Sequence, residues 1–235
     1  MQDAKVGIIG AMDVEVAHLI HKMDDVSEEM HSGMEFHSGK LGGVDVVVSQ
    51  CRVGKVNAAI CAQIMIDVFG ATHLINTGVA GSLDARMDIG DIVVSTDAIY
   101  HDVDVTNFGY DPGQVPGMPT AYPADEGLRR LMVSAVREAA PDINVFEGRV
   151  ASGDQFVRDD SVKSRVASDF GALCCEMEGA AIAQACYLNN VPFAIIRAIS
   201  DKADGSDSEL YPIFEEKAAR HCAKIVEHAV PHVFA

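Results

Sequence analysis

Five short stretches of this chain are apolar almost without a break: KVGIIG (5–10), HLINTG (73–78), DIVVSTDAIY (91–100), VFEGRVAS (145–152) and PFAIIRAI (192–199). Strands that apolar on both faces need cover above and below, which a half-solvated sheet cannot give them. Segments of helical period lie between them. Val16, Leu19, Ile20 and Met23 recur near every 3.6 residues and predict a helix over 12–23. Further helices are expected over 55–69, 124–139, 159–168, 179–189 and 212–229, with a short strand at ALCCEM (172–177). The order predicts an α/β chain with a central mixed, twisted sheet flanked by helices. GMEFHSGKLGGVDVVVSQ (33–50) alternates around Gly42-Gly43 and predicts a hairpin. With the long stretch 100–122, it makes the fold less regular than a doubly wound sheet.

At 235 residues and 49% hydrophobic, the chain can bury a large core, and no Pro- or Ser-rich linker divides it. A single domain over 1–235 is expected. Thirty-five acidic against eighteen basic residues give a formal charge of −17, which repels nucleic acid and anionic membrane surfaces alike. No apolar run reaches the length of a membrane span. The six cysteines at 51, 61, 174, 175, 186 and 222 form no CxxC pair, so buried thiols in a reducing cytoplasm are expected.

Carboxylates stand where the apolar strands end. Glu15 follows the first, Glu176 and Glu178 follow ALCC, Asp201 closes AIIRAIS, and Gly78 to Gly81 follow LINT. Ligands of open α/β sheets collect at those ends. Such a carboxylate can also be a helix cap or a first-turn acid, and Asp13 is assigned to that role. Several convergent carboxylates suit acid/base chemistry on a neutral substrate that develops positive charge. One carboxyl is then held protonated to serve a leaving group, and another is ionised to orient water or balance a cation. The residues alone point to a hydrolase or lyase with an acidic pocket. HDVDV (101–105) is a weak metal site, no metal or cofactor is expected, and His101 is expected to be a hydrogen-bonded structural residue. VGIIG lacks the GxGxxG spacing of a dinucleotide site. His221 and His228, on a terminal helix read as cover for the sheet, are expected at the surface.

VGIIGAMDVEV, NTGVAGSLDARMDIGDIVVS, YHDVDVTNFGYDPGQVPG, ASGDQF, CCEMEGAAIAQAC and VPFAIIRAISDKAD, in that order, resemble the bacterial 5'-methylthioadenosine/S-adenosylhomocysteine nucleosidases of the purine nucleoside phosphorylase superfamily. The resemblance implies a nucleoside phosphorylase-like fold and a homodimer. The implied reaction is hydrolysis of the N-glycosidic bond of 5'-thio-substituted adenosines, with 5'-deoxyadenosine also a substrate.

The resemblance also implies roles for particular residues. Asp201 would be the general acid at adenine N7; Glu15, with Arg197 nearby, would activate water. Glu178 would hold the ribose hydroxyls, with Met177 beneath the sugar and Glu176 in support. Phe156 would stack on adenine, and the backbone at Phe156 and Val157 would meet the purine edge. Met12, Val53 and Tyr211 would line the 5' pocket, completed by Val105, Phe108 and Pro116 of a neighbouring subunit. Val79 stands where some relatives have a serine near the water, and Tyr211 where some have phenylalanine. Phosphorolysis, with Arg52 and Arg86 as phosphate ligands, is the alternative; a non-catalytic adenosine-metabolite binder is a third.

Overall fold

The computed structural model describes residues 4–202 and 211–235, the first four of the latter by backbone alone. Among the described residues are ten strands: β1 (Val6–Gly10), β2 (Asp24–His31), β3 (Met34–Leu41), β4 (Val44–Gln50), β5 (His73–Ser82), β6 (Ile92–Tyr100), β7 (Tyr122–Pro123), β8 (Val145–Ser152), β9 (Ala172–Glu176) and β10 (Phe193–Asp201). The helices are α1 (Asp13–Lys22), α2 (Lys55–Asp67), α3 (Glu126–Ala139), α4 (Asp160–Phe170), α5 (Gly179–Asn189) and α6 (Tyr211–Ala229).

All ten strands join one mixed sheet, ordered β10-β6-β8-β9-β5-β1-β4-β3-β2, with β7 paired to β6. Because β10 also pairs in parallel with β5, the strands β5, β10, β6, β8 and β9 close on themselves. That closure brings the ends of β5, β9 and β10 to one rim, where β1 leads into α1. The strands were apolar on both faces because both faces are covered. Val16 and Leu19 of α1, Met132 and Val136 of α3, and Cys222 and Val226 of α6 form the core on one side. Ala58, Cys61 and Met65 of α2 meet Ala181, Ile182 and Cys186 of α5 on the other. The small residues along α5 let it lie close to the sheet.

Three strands differ from the sequence expectation, the least of them β7, a two-residue pairing with β6 where none was foreseen. β2 was not foreseen: DDVSEEMH is exposed along almost its whole length and pairs only with β3. It is a charged edge strand, a composition that discourages pairing with other chains and hides the strand from hydropathy. β5, in turn, runs past Gly78 to Ser82, so Gly78–Gly81 lie inside the strand rather than beyond it. The hairpin at Gly42-Gly43 forms as expected, with both glycines at positive φ.

Candidate active site

The cavity at the rim is lined by Met12, Glu15, Val53, Val79, Ala80, Gly81, Gln155, Phe156, Val157, Cys175, Glu176, Met177, Glu178, Ser200, Asp201 and Glu215. Glu15 sits at the third position of α1, and its Oε2 reaches back to accept the N–H groups of Ala11 at 2.6 Å and Met12 at 2.9 Å. Oε1 accepts the Val79 N–H at 3.0 Å. Burial pushes the Glu15 carboxyl above its ordinary range, opposed by the Arg197 charge and by these three amides. Asp13, two residues earlier, is exposed in the first turn, as the helix-dipole reading holds.

Arg197 is buried in the middle of β10. Its Nη2 donates to Asn76 Oδ1 at 2.5 Å and to Glu176 Oε2, and lies 4.0 Å from Glu178 Oε2. Burial works against its charge, but Glu176, Glu15 and Glu178 together hold it more firmly protonated than a free arginine. Glu176 is fully occupied. It accepts from Ser152 Oγ, from Glu178 N at 3.0 Å and from Gly179 N at 2.8 Å, besides Arg197. It therefore caps the head of α5 while bordering the cavity. Ser152 Oγ completes the arrangement by accepting the Ala180 N–H at 2.7 Å.

Glu178 is freer. Oε1 accepts the Gly54 N–H at 2.8 Å, and its carboxyl is pushed up to about 8 by burial and by the neighbouring Glu176 charge. Asp201 ends β10 across the cavity. Its Oδ1 accepts from Ser200 Oγ at 3.2 Å and its Oδ2 from Lys163 Nζ at 2.9 Å. A methyl group at Gly81 would stand 3.1 Å from both Asp201 oxygens, which is why the adjoining strand carries glycine there. Phe156 is half exposed at the mouth, with the Arg158 guanidinium 6.0 Å from its ring centre. Among the described residues, no group of three or more His, Cys, Asp or Glu side chains is placed to hold a metal ion. No described helix is long and apolar enough to cross a membrane.

The fold thus brings Glu15, Glu176, Met177, Glu178, Phe156, Val157, Met12, Val53, Val79 and Asp201 to one cavity, with Arg197 behind them. Val105, Phe108 and Pro116 do not line it in their own chain, and Phe108 is 76% exposed. The Tyr211 side chain lies outside the described residues. Arg86 is tied to Asp84 at 2.5 Å and Arg52 donates to the Gly33 carbonyl at 2.6 Å; neither lines the cavity. His101 corrects an expectation: it is buried, yet neither ring nitrogen has a hydrogen-bond partner among the described residues. His221 is half-buried rather than at the surface, and burial depresses its basicity. All six cysteines are free and buried. Lys163, Asn76 and Ser152 escaped the sequence reading. For Lys163 a signal existed, since it shares the buried stripe of α4 with Val166 and Phe170.

The profile of the phosphorylase superfamily matches residues 5–231. A 5'-methylthioadenosine/S-adenosylhomocysteine nucleosidase of Geobacillus sp. (strain WCH70) is 43% identical over 94% of this chain and 96% of its own length. This chain belongs to that nucleosidase family. The crystal structure of the Colwellia psychrerythraea 34H nucleosidase in complex with adenine superposes with a TM-score of 0.93 at 39% identity, covering 97% of this chain and 95% of that one. The futalosine hydrolase of Helicobacter pylori strain 26695 superposes with a TM-score of 0.91 at 34% identity, over 97% of each chain. Family membership agrees with a cavity that has one buried carboxylate on a helix N-terminus, one at a strand end, and a third between them.

Proposed function

We infer that the chain, working as one nucleosidase domain over 1–235, hydrolyses the N-glycosidic bond of 5'-methylthioadenosine and S-adenosylhomocysteine, with 5'-deoxyadenosine also accepted. Adenine and the 5'-substituted ribose are the products. The observation that carries hydrolysis over phosphorolysis is the use of the anion-binding groups. The amides of Ala11, Met12 and Val79, which could cradle a phosphate, all bond Glu15 instead. The two cations at the site are equally engaged, Arg197 by Glu176 and Asn76, and Lys163 by Asp201. A phosphate dianion would meet carboxylates there, whereas a neutral water would meet acceptors for its protons.

In this reading Asp201 gives its proton to adenine N7 as the C1'–N9 bond breaks, so the bond's electron pair leaves on a neutral base. The ribosyl cation faces Glu178, favours its ionised form and is stabilised by it, while the carboxylate oxygens hold the 2'- and 3'-hydroxyls over Met177. Water adds to C1' and its proton passes to Glu15, oriented by Arg197. Where a serine hydroxyl would meet this water in some relatives, Val79 offers only a backbone N–H, which is already bonded to Glu15. Phe156 presents an exposed ring for the purine to stack upon, with Val157 at its edge. Glu176 serves by holding α5 and Arg197 in place.

Met12 and Val53 line the side of the cavity assigned to the 5' substituent. A second copy of the chain would close it with Val105, Phe108 and Pro116, forming a homodimer with composite sites. The support is an apolar surface on the paired helices α2 and α5, where Val56, Ile60, Tyr187 and Leu188 are exposed together. Adenine release from 5'-methylthioadenosine, measured with and without inorganic phosphate, tests the reaction class. Equal rates and free methylthioribose are expected; strict phosphate dependence with a ribose 1-phosphate product would establish phosphorolysis instead.

A further inference from the structure

Lys163 is 4% exposed, and a lysine so deeply buried is costly unless its ammonium is fully engaged. Its Nζ donates to Asp201 Oδ2 at 2.9 Å and to the Lys202 carbonyl at 2.7 Å, so both bonds hold the end of β10. The helix that carries it is fixed independently. Asp159 caps α4 by accepting from Ser161 N at 2.8 Å, and the Lys163 N–H itself bonds the Asp159 carbonyl at 2.9 Å. Val166 and Phe170, on the same stripe, anchor α4 against β8 and β9. The ammonium is thus delivered to Asp201 from a rigid element.

We propose that Lys163 is a positioning residue for the leaving-group side of the reaction, holding Oδ2 of Asp201 in place and balancing the carboxylate left there once the proton has gone to the purine. The proposal rests on the reading of Asp201 as general acid. Gly81 confines the carboxylate on one side, Lys163 occupies Oδ2, and Oδ1, which among the described residues is shared only with the Ser200 hydroxyl, is left to carry the proton. No proton comes from Lys163: N7–H forms, the Asp201 O–H breaks, and the new carboxylate stays paired with the existing ammonium.

The surroundings leave Lys163 as the group for this task. Arg197 is engaged by Asn76 and Glu176, next to Glu15, on the water side. The Lys202 ammonium is drawn off to Asp88 at 2.9 Å. The Cys175 thiol, pushed up to about 12 chiefly by burial, stays neutral and does not compete for the ammonium. The site therefore carries one buried cation behind each half of the reaction.

A pair of substrates separates positioning of the acid from general support of the fold. Adenine needs a proton to leave, whereas 4-nitrophenolate does not. Lys163→Met should slow adenine release from 5'-methylthioadenosine about 10–100-fold, as for loss of a hydrogen bond to an ionised group, with KM changed less than about threefold. Hydrolysis of 4-nitrophenyl 5-methylthioriboside should change little. Lys163→Arg should recover part of the adenine rate; if the Met variant does not fold, Lys163→Gln serves for the same comparison. Equal slowing of both substrates, or of neither, overturns the proposal. Asp201→Asn is the parallel control: if it impairs adenine release selectively while the Lys163 variants do not, the general acid stands and the role of Lys163 falls. If it slows both substrates alike, the general-acid reading itself fails.

Discussion

Gly54 and Glu178 lie 124 residues apart and are joined by a 2.8 Å hydrogen bond from the Gly54 N–H to Glu178 Oε1. Gly54 precedes α2 at a φ of 104°, a conformation that favours glycine, and Glu178 precedes α5. The heads of the two helices therefore face each other across the cavity, with one carboxylate between them. Burial, helped by the Glu176 and Glu15 charges and opposed by Arg197 and the Gly54 amide, makes that carboxylate hold its proton well beyond the ordinary glutamate range.

A stability consequence follows in a definite pH window. Below 4.5 both the folded and the unfolded chain carry the Glu178 proton; between 4.5 and about 8 only the folded chain keeps it. Unfolding then releases a proton, so the protonated group's contribution is complete at low pH and is lost as pH rises through about 8. The slope is about 1.4 kcal/mol per pH unit at most for one proton. Urea midpoints of the ligand-free protein from pH 5 to 8.5 should fall more steeply in the wild type than in Glu178→Gln. Parallel curves would place the charge burden elsewhere.

Gly78 tests how tightly the water side is packed. A methyl group there would stand 2.5 Å from Glu15 Oε1 and 2.7 Å from Arg197 Nη1, so both side chains must give way. Gly78→Ala should destabilise the fold by about 1–3 kcal/mol, as overpacking does. It should also lower kcat about 10–100-fold, since a displaced general base loses its geometry. Thermal melts and steady-state kinetics on the same preparation separate the two effects; a stable variant with full activity would show that Glu15 tolerates the shift.

Removing the acid and the base should fail differently. Asp201→Asn keeps shape but has no proton to give, and adenine release should fall about 10²–10⁴-fold while 5'-methylthioadenosine still binds. Glu15→Gln should fall by a similar factor. Its amide would also place an N–H group against the Met12, Ala11 or Val79 donors, so a lower melting temperature is expected as well. Rapid-quench turnover beside calorimetric binding reads both; normal turnover in either variant removes that residue's role.

Part of this site was legible because its carboxylates stand at the ends of apolar runs, as Asp201 does, whereas Glu15 was told from its neighbour Asp13 only by the resemblance to a known family. The strands themselves were readable for the same reason, as both faces of the sheet are covered. What could not be read depends on long-range pairing. Lys163 stands on the apolar stripe of α4, but only the closed sheet names its partner, 2.9 Å away in Asp201. Asn76 lies within an apolar strand, and only its bond to Arg197 explains it. Glu176 and Glu178 flank one methionine, and the resemblance rather than hydropathy told the supporting first from the second; the fold shows the first consumed by the amides at the head of α5. β2 escaped because an edge strand needs no apolar face, and His101 because its partners, expected from its polarity, are missing among the described residues.

Phe108 carries the assembly question. It sits in a short 3₁₀ turn, Thr106–Phe108, 76% exposed and away from its own cavity, in a segment too apolar to be left in water. If a second copy receives it at the 5' pocket, Phe108→Ala should raise KM for 5'-methylthioadenosine and S-adenosylhomocysteine about tenfold. That is the scale of losing a well-buried aromatic contact of about 1.4 kcal/mol. Affinity for free adenine should stay unchanged, because adenine does not reach the 5' side. A companion substitution on the α2 surface, Val56→Glu, should shift the protein toward monomer in sedimentation velocity and reduce activity with it, without altering the residues that line the cavity. A fully active monomer, or equal weakening of adenine and the thio-nucleosides by Phe108→Ala, would leave each site complete within one chain.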